Sequence, residues 1–362
     1  MFTKLLQLIV LSPINNYTLY IIELISYLLY YANNRGQMVS SNTDLNLEQI
    51  AKACGLFSDI DFETVILNIE KLAVDYCKSD LISIYNYMLI YAQEPEVIVH
   101  LIKCTDRYRD PSSLEYLVDI LLLKNTKNAD EEVKEKYNNV RVMCAKAIAN
   151  QKNSSIVSSL LYCLNNKNEN YRVRLACADA LGKLGDRFAV EPLIDVVQDE
   201  DEKSIYLRES AVSALGLLGD ERALDPLVGI LEAKQGIMDK FSFLKERAIE
   251  ALIKVGFCDN ERVFRALKNS LSDESTQVRI NAIEALMDSE HPKAYDTIKD
   301  VLENDLDFEV KKNAMIALYN MSDRRILDEV INSKAYSDAL KEEAVSIIEE
   351  YEDCDDDFGD EE

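Results

Sequence analysis

The sequence predicts an all-α protein built as an α-solenoid, a stack of antiparallel helix pairs, and three observations carry that prediction. Glycine and proline are scarce, 10 and 6 in 362 residues, which removes most of the turn chemistry that hairpins and sandwiches require. Apolar residues recur at helical spacing rather than in strand-like alternation. A segment of roughly 33 residues repeats along the carboxyl-terminal two thirds.

Taken from the amino end, residues 5–11 and 19–31 are strongly apolar. A membrane span needs about 20 mostly apolar residues, and Pro13, Asn15, Asn16 and Glu23 divide this region into shorter pieces. One lysine precedes the apolar stretch and no small-residue cleavage site follows it, so the pattern is not that of a signal peptide. Two buried or interface helices, without membrane attachment, are expected instead, with a signal anchor as the alternative. The remainder of a first region, residues 1–110, shows helical patterns over 62–77, 81–91 and 97–104 without the later repeat. Degenerate helix pairs that cap the stack are expected there, because terminal repeats of such arrays are atypical; the alternative is a distinct helical interaction domain.

Residues 111–348 hold the repeat itself. Seven segments align, each opening on an apolar residue followed by a cation: Arg141, Arg174, Arg208, Lys245, Arg279, Lys311 and Lys341. Three positions on stand Cys144, Cys177, Ala211, Ala248, Ala282, Ala314 and Ala344; three further on stand Ala147, Ala180, Ala214, Ala251, Ala285, Ala317 and Ile347. Small residues at i and i+3 share one helix face and let a neighbouring helix come close. The turns Leu184-Gly185-Asp186 and Leu218-Gly219-Asp220 then supply a left-handed helix end and a cap for the next helix. Pro192 and Pro226 hold equivalent places near the start of the second helices, where a missing amide costs least. Residues 125–139 and 233–242 exceed the repeat length and read as surface loops.

The pattern V-R-x-x-A-x-x-A-L-G-x-L-G-D-x-x-A-x-x-P-L resembles HEAT repeats, specifically the short phycobilisome-lyase (PBS lyase) HEAT-like type. The resemblance implies a right-handed superhelix of antiparallel helix pairs. It further implies that the helix bearing the cation lines the concave surface. One functional expectation is a non-catalytic scaffold or adaptor that binds a protein partner there; the alternative is a phycobilin lyase or chromophore-handling subunit of the E/F type. Enzymes of this repeat class that bind two irons through His-Glu pairs are a poor fit, since this chain has no His-Glu dipeptide and two histidines in all, His100 and His291.

Charge narrows the partners. The formal net charge is −25, which repels phosphate backbones and anionic lipid headgroups. No nucleic acid is expected, and basic segments of proteins are the natural attraction. Within the tail, residues 349–362, ten of fourteen positions are acidic; a solvated, disordered tail is expected. Its Asp353-x-Asp355-x-Asp357 spacing opens like a calcium loop, but Phe358 replaces the required glycine.

On the concave face implied by the resemblance, positions one and five beyond the cation present Asp179, Glu209, Ser213, Glu246, Glu250 and Glu284, with Lys183 a turn beyond Asp179. These residues are the candidate partner-binding set. An acidic groove for a basic segment is one reading and a solvated helix face the other. Arg141, Arg174, Arg208 and Arg279 recur at a fixed register behind turn carboxylates such as Asp199, Asp201 and Asp273, and are read as structural anchors. Eight cysteines lack any C-x-x-C, so no metal site, no cofactor and a reducing cytoplasmic setting are expected. Cys144 and Cys177 read as alanine substitutes in the stack, His291 as an exposed turn residue, and His100 as packed.

Overall fold

The computed structural model describes residues 45–122, 131–233, 241–257, 260–321 and 325–356, and within them every regular element is helical. Eighteen α-helices follow in order: α1 (Leu47–Ala53), α2 (Phe62–Asp75), α3 (Lys78–Tyr91), α4 (Pro95–Tyr108), α5 (Leu114–Leu121), α6 (Glu131–Asn150), α7 (Val157–Asn165), α8 (Tyr171–Leu184) and α9 (Val190–Gln198). They continue with α10 (Ile205–Leu218), α11 (Leu224–Glu232), α12 (Ser242–Val255), α13 (Glu261–Ser270), α14 (Thr276–Asp288), α15 (Ala294–Asn304), α16 (Phe308–Met321), α17 (Arg325–Asn332) and α18 (Asp338–Asp356). The fold class is an all-α solenoid.

The chain forms two compact units that meet within α9, residues 1–192 and 193–362. In the first, α2, α4, α6 and α8 lie side by side as one layer, and α1, α3 and α5 as the other; α3 packs on α4, α5 on α6 and α7 on α8. In the second, α10, α12, α14, α16 and α18 form one layer, backed by α11, α13, α15 and α17. Helices with this alternating order cannot bury both apolar flanks alone, and stacking satisfies them.

Local chemistry explains the boundaries. Gly185 and Gly219 close α8 and α10 in the left-handed region, at φ 73° and 61°. Asp186 and Asp220 then accept from the Phe188 and Arg222 amides, opening a short 3-10 turn that leads into the second helix. Asn170, Ser204 and Ser275 cap α8, α10 and α14 in the same way. The small-residue seam is closed: Cys144, Ala147, Cys177, Ala180, Ala211, Ala214, Ala248, Ala251, Ala282, Ala285, Ala314 and Ala317 are all at most 4% exposed.

Three sequence expectations are revised. Residues 131–139, expected within a loop, form the first turns of the long helix α6. The acidic stretch expected to be disordered from residue 349 is helical as far as Asp356, because α18 docks on α16 and α17 and glutamate is a good helix former; residues 357–362 lie outside the described residues. His291 is not exposed. Its ring stacks on Phe264 with centroids 3.8 Å apart, and its side chain is only 9% exposed.

Candidate partner-binding face

Arg141, Arg174, Arg208 and Lys311 each serve the helix before them. The last carbonyls of a helix have no partner within that helix and attract positive charge. Arg141 Nε donates to the Leu121 carbonyl at the end of α5 (2.7 Å), and Arg174 Nε to Leu164 near the end of α7 (2.8 Å). Arg208 donates to the carbonyls of Val197, Asp199 and Glu202, and Lys311 to that of Glu303 (3.0 Å).

Cations of this register also reach forward. Arg141 makes a two-pronged bond to Glu169, 28 residues later in the turn before α8 (2.7 and 2.5 Å). Lys245 reaches Asp273 (2.9 Å), and Arg279 reaches Asp305 (3.0 and 3.3 Å). Carboxylates of the preceding turn act on these cations as well: burial works against the charged form of Arg208, and the Glu202 and Asp199 charges favour it. Asp199 and Asp273 give Arg208 and Arg279 main-chain carbonyls, while the Asp273 carboxylate serves the cation of the earlier repeat. The result is a clamp from one helix pair to the next. Burial pushes the Glu169 carboxyl up, but the Arg141 guanidinium outweighs it and holds the group below the ordinary carboxylate range.

The candidate binding residues divide between the units. Asp179, half-buried, and Lys183, exposed, lie on α8 in the first. In the second, α10 carries Glu209 and Ser213, α12 carries Glu246 and Glu250, and α14 carries Glu284; all but the exposed Glu284 are half-buried. A residue absent from the sequence reading ties this second group together. Arg247, two positions beyond the cation Lys245, donates to Glu209 on α10 (3.2 Å) and to Glu250 on its own helix (2.6 Å). The equivalent positions are Met143, Ala176, Ser210, Asn281, Asn313 and Glu343. A charge in a register that is neutral in every other repeat except the last was the available signal.

Arg247 thus bridges Glu209 on α10 and Glu250 on α12, and its charge also reaches Glu246. Glu246 differs from its neighbours: no hydrogen bond or ion pair joins it to any described residue. Burial, then the nearby Glu250 and Asp273 charges, push its carboxyl above the ordinary value, while Arg247 pulls the other way. Lys254, exposed at the end of α12, borders the group. A half-buried carboxylate of this kind gains from any cation brought to it.

Elsewhere, among the cysteines whose side chains are described, all but the exposed Cys77 are buried. Among the described residues no group of three or more His, Cys, Asp or Glu is placed to hold a metal ion, and no described helix is long and apolar enough to cross a membrane. Cys144 and Cys177 are fully buried, and burial pushes the Cys144 thiol up. Cys177 shares a hydrogen bond with Cys163 on α7, which together with burial pushes its thiol well up. Burial pulls the His100 imidazole below its usual value, and its Nε2, 4.0 Å from Glu70, lacks a hydrogen-bond partner.

The model for HEAT repeats matches residues 130–205 and 238–319, and the model for the PBS lyase HEAT-like repeat matches residues 207–233. Similar solved structures include the complex of CpcE and CpcF of phycocyanin lyase from Nostoc, at 21% identity over 66% of this chain and 87% of that one, TM-score 0.39. An engineered protein is 17% identical over 83% of this chain and 87% of its own, TM-score 0.46. An archaeal HEAT-like repeats protein from Thermococcus onnurineus is 16% identical over 66% and 96%, TM-score 0.38. No curated protein matches. The three matched stretches together make up just over half of the chain, and with the repeated cation clamp and the small-residue seam they identify it as a HEAT-repeat protein.

Proposed function

We propose that the chain is a non-catalytic scaffold or adaptor, and that the face of α10, α12 and α14 receives a basic segment of a protein partner. The observation that carries this reading is Glu246, a half-buried carboxylate held above its ordinary pKa and joined to no described residue by a hydrogen bond or ion pair. Arg247 occupies Glu209 and Glu250, so a partner cation meets Glu246 and Glu284 first and competes for the other two. Stacked helices offer area and rows of modest contacts, the usual means of adaptor binding. The match over 207–233 describes a type of repeat and transfers no reaction to this chain.

The test is binding by fluorescence anisotropy of lysine- and arginine-rich helical peptides to the full chain, compared with Glu246→Lys/Glu250→Lys. The expected result is salt-sensitive binding by the parent, weakened at least tenfold in the variant at unchanged helical content; tenfold corresponds to about 1.4 kcal/mol. Equal affinity in the two proteins refutes the site. Incubation with a bilin and an apo-antenna subunit provides the opposing arm, since transfer of visible absorbance to that subunit refutes the non-catalytic reading.

A further inference from the structure

The first unit ends on an apolar flank. The buried stripe of α2 is Val65, Ile69 and Leu72, and α2 packs on α4. Roughly opposite that stripe, two helical turns apart, stand Leu67 and Val74, which are 56% and 87% exposed. The helix thus has apolar residues on both flanks, the pattern of a helix inside a stack rather than at its end. Phe57 and Ile60, in the turn between α1 and α2, are exposed as well. A groove of about 590 Å³ runs between α1 and α2, lined by Leu45, Ile50, Leu72 and Tyr76 among others.

The order of the layers says what belongs there. The helices alternate between layers along the chain, and α1 lies in the layer of α3 and α5. On this alternation a helix preceding α1 would fall in the layer of α2, on the side away from α4, where Leu67 and Val74 stand. Leu45, which precedes α1, lines the groove between α1 and α2. Upstream, residues 19–31 form an apolar run that includes Ile21, Ile22, Leu24, Ile25, Leu28 and Leu29, interrupted by a single charge, Glu23. Thirteen residues of helix span about 20 Å, matching the 14-residue helices α2 and α4. Residues 32–44 are mostly polar and contain Gly36, as a connection requires.

We propose that residues 19–31 occupy the flank of α2 marked by Leu67 and Val74, as the missing first helix of the amino-terminal pair. The full chain carrying benzoylphenylalanine at Val74, prepared as an equal mixture of unlabelled and ¹⁵N-labelled protein, tests this by irradiation, digestion and mass spectrometry, with and without phosphatidylglycerol vesicles. Cross-links from position 74 to residues 19–31 within one chain are expected, in both conditions. Cross-links that join a labelled to an unlabelled chain overturn the proposal in favour of a second copy, lipid adducts overturn it in favour of a membrane surface, and cross-links to other segments, or none, also overturn it. Hydrogen exchange gives a second measurement: in Leu67→Asp/Val74→Asp, residues 19–31 are expected to exchange roughly tenfold faster or more while α6 and α8 keep their protection. Unchanged protection of 19–31 refutes the assignment.

Discussion

Replacing Arg141 with methionine removes four hydrogen bonds, to Leu121, Asn138 and, twice, Glu169, from an almost fully buried position. The side chain is 2% exposed and its partner Glu169 14%. Two consequences set the size of the effect. The Leu121 carbonyl loses its donor, which costs about 1 kcal/mol for a buried acceptor. Glu169 becomes a largely buried carboxylate without its counter-charge; removing one partner of a buried pair costs about 3–5 kcal/mol, and the residual water contact of Glu169 places this case at the low end. A total near 4 kcal/mol lowers the melting midpoint by roughly 8–16 °C for a unit of this size. Glu169→Gln keeps an acceptor and should cost less, and in the double variant the two losses should fall short of their sum by about 2 kcal/mol. The pH dependence has a fixed sign. A carboxyl whose folded pKa lies below its unfolded value stabilises above that unfolded value, about 4.3, and the contribution is lost as pH falls through the folded value. The advantage of the parent over Glu169→Gln should therefore be full at pH 7 and fade only in acid. Urea unfolding of the four proteins of the cycle measures all of this. A coupling below about 0.5 kcal/mol, the value of a surface pair, refutes the clamp as an energetic element.

Other consequences follow from packing, charge and burial. A methyl group at Gly216 would lie 2.9 Å from the Ala251 Cα on α12, so Gly216→Ala should cost about 1–2 kcal/mol, overpacking of 1–3 less a helix-propensity gain of up to about 1. At Gly229 in α11 the same change meets nothing, and urea unfolding should show a gain of about 0.5–1 kcal/mol. The folded pKa of Glu246 is raised, so its ionised form costs stability, and that cost grows as pH rises from the unfolded value through the folded one. Glu246→Gln should thus melt higher than the parent at pH 7, with the gap closing below about pH 4; no gap at pH 7 refutes the burial argument. Iodoacetamide mapped by mass spectrometry should label exposed Cys77 in the native protein and spare Cys144, Cys163 and Cys177 until unfolding.

What the sequence made legible was whatever depends on near neighbours. Gly185-Asp186 and Gly219-Asp220 do what their dipeptides announce, because a left-handed helix end and an N-cap are decided within four residues. The seam from Cys144 to Ala317 was readable because a shared face needs only i and i+3. Illegible features depended on a distant part of the chain. Gly216 is small because of a backbone 35 positions later, although the same motif supplies Gly219 for a purely local reason. His291 looks like a turn residue until Phe264, 27 positions earlier, is found beneath its ring. The forward clamp was missed because the nearer turn carboxylates offered a shorter, equally charged alternative.

Arg247 shows how a structural device and a binding surface come to share one face. The position one beyond the cation in one repeat meets the position two beyond it in the next: Glu209 pairs with Arg247 between α10 and α12. Between α16 and α18 the same pair of registers is filled by Lys312 and Glu343, with the charges exchanged. The geometry belongs to the repeat, and the sign is free. A scaffold can therefore place a charge at the first register and choose whether the next repeat neutralises it. At Glu246 the following register holds Asn281, which is buried and accepts a hydrogen bond from Gln277 instead. The bridge is skipped there, and the carboxylate it leaves over is the one whose pKa burial raises. In a one-dimensional array, where each repeat is stabilised mainly by its neighbours, omitting one bridge costs little of the whole and opens a place for an outside cation. A substitution Asn281→Arg should close it: the introduced guanidinium would meet Glu246 as Arg247 meets Glu209, removing the elevated pKa and the affinity for basic peptides together. Loss of one without the other would show that the pKa and the binding arise from different causes.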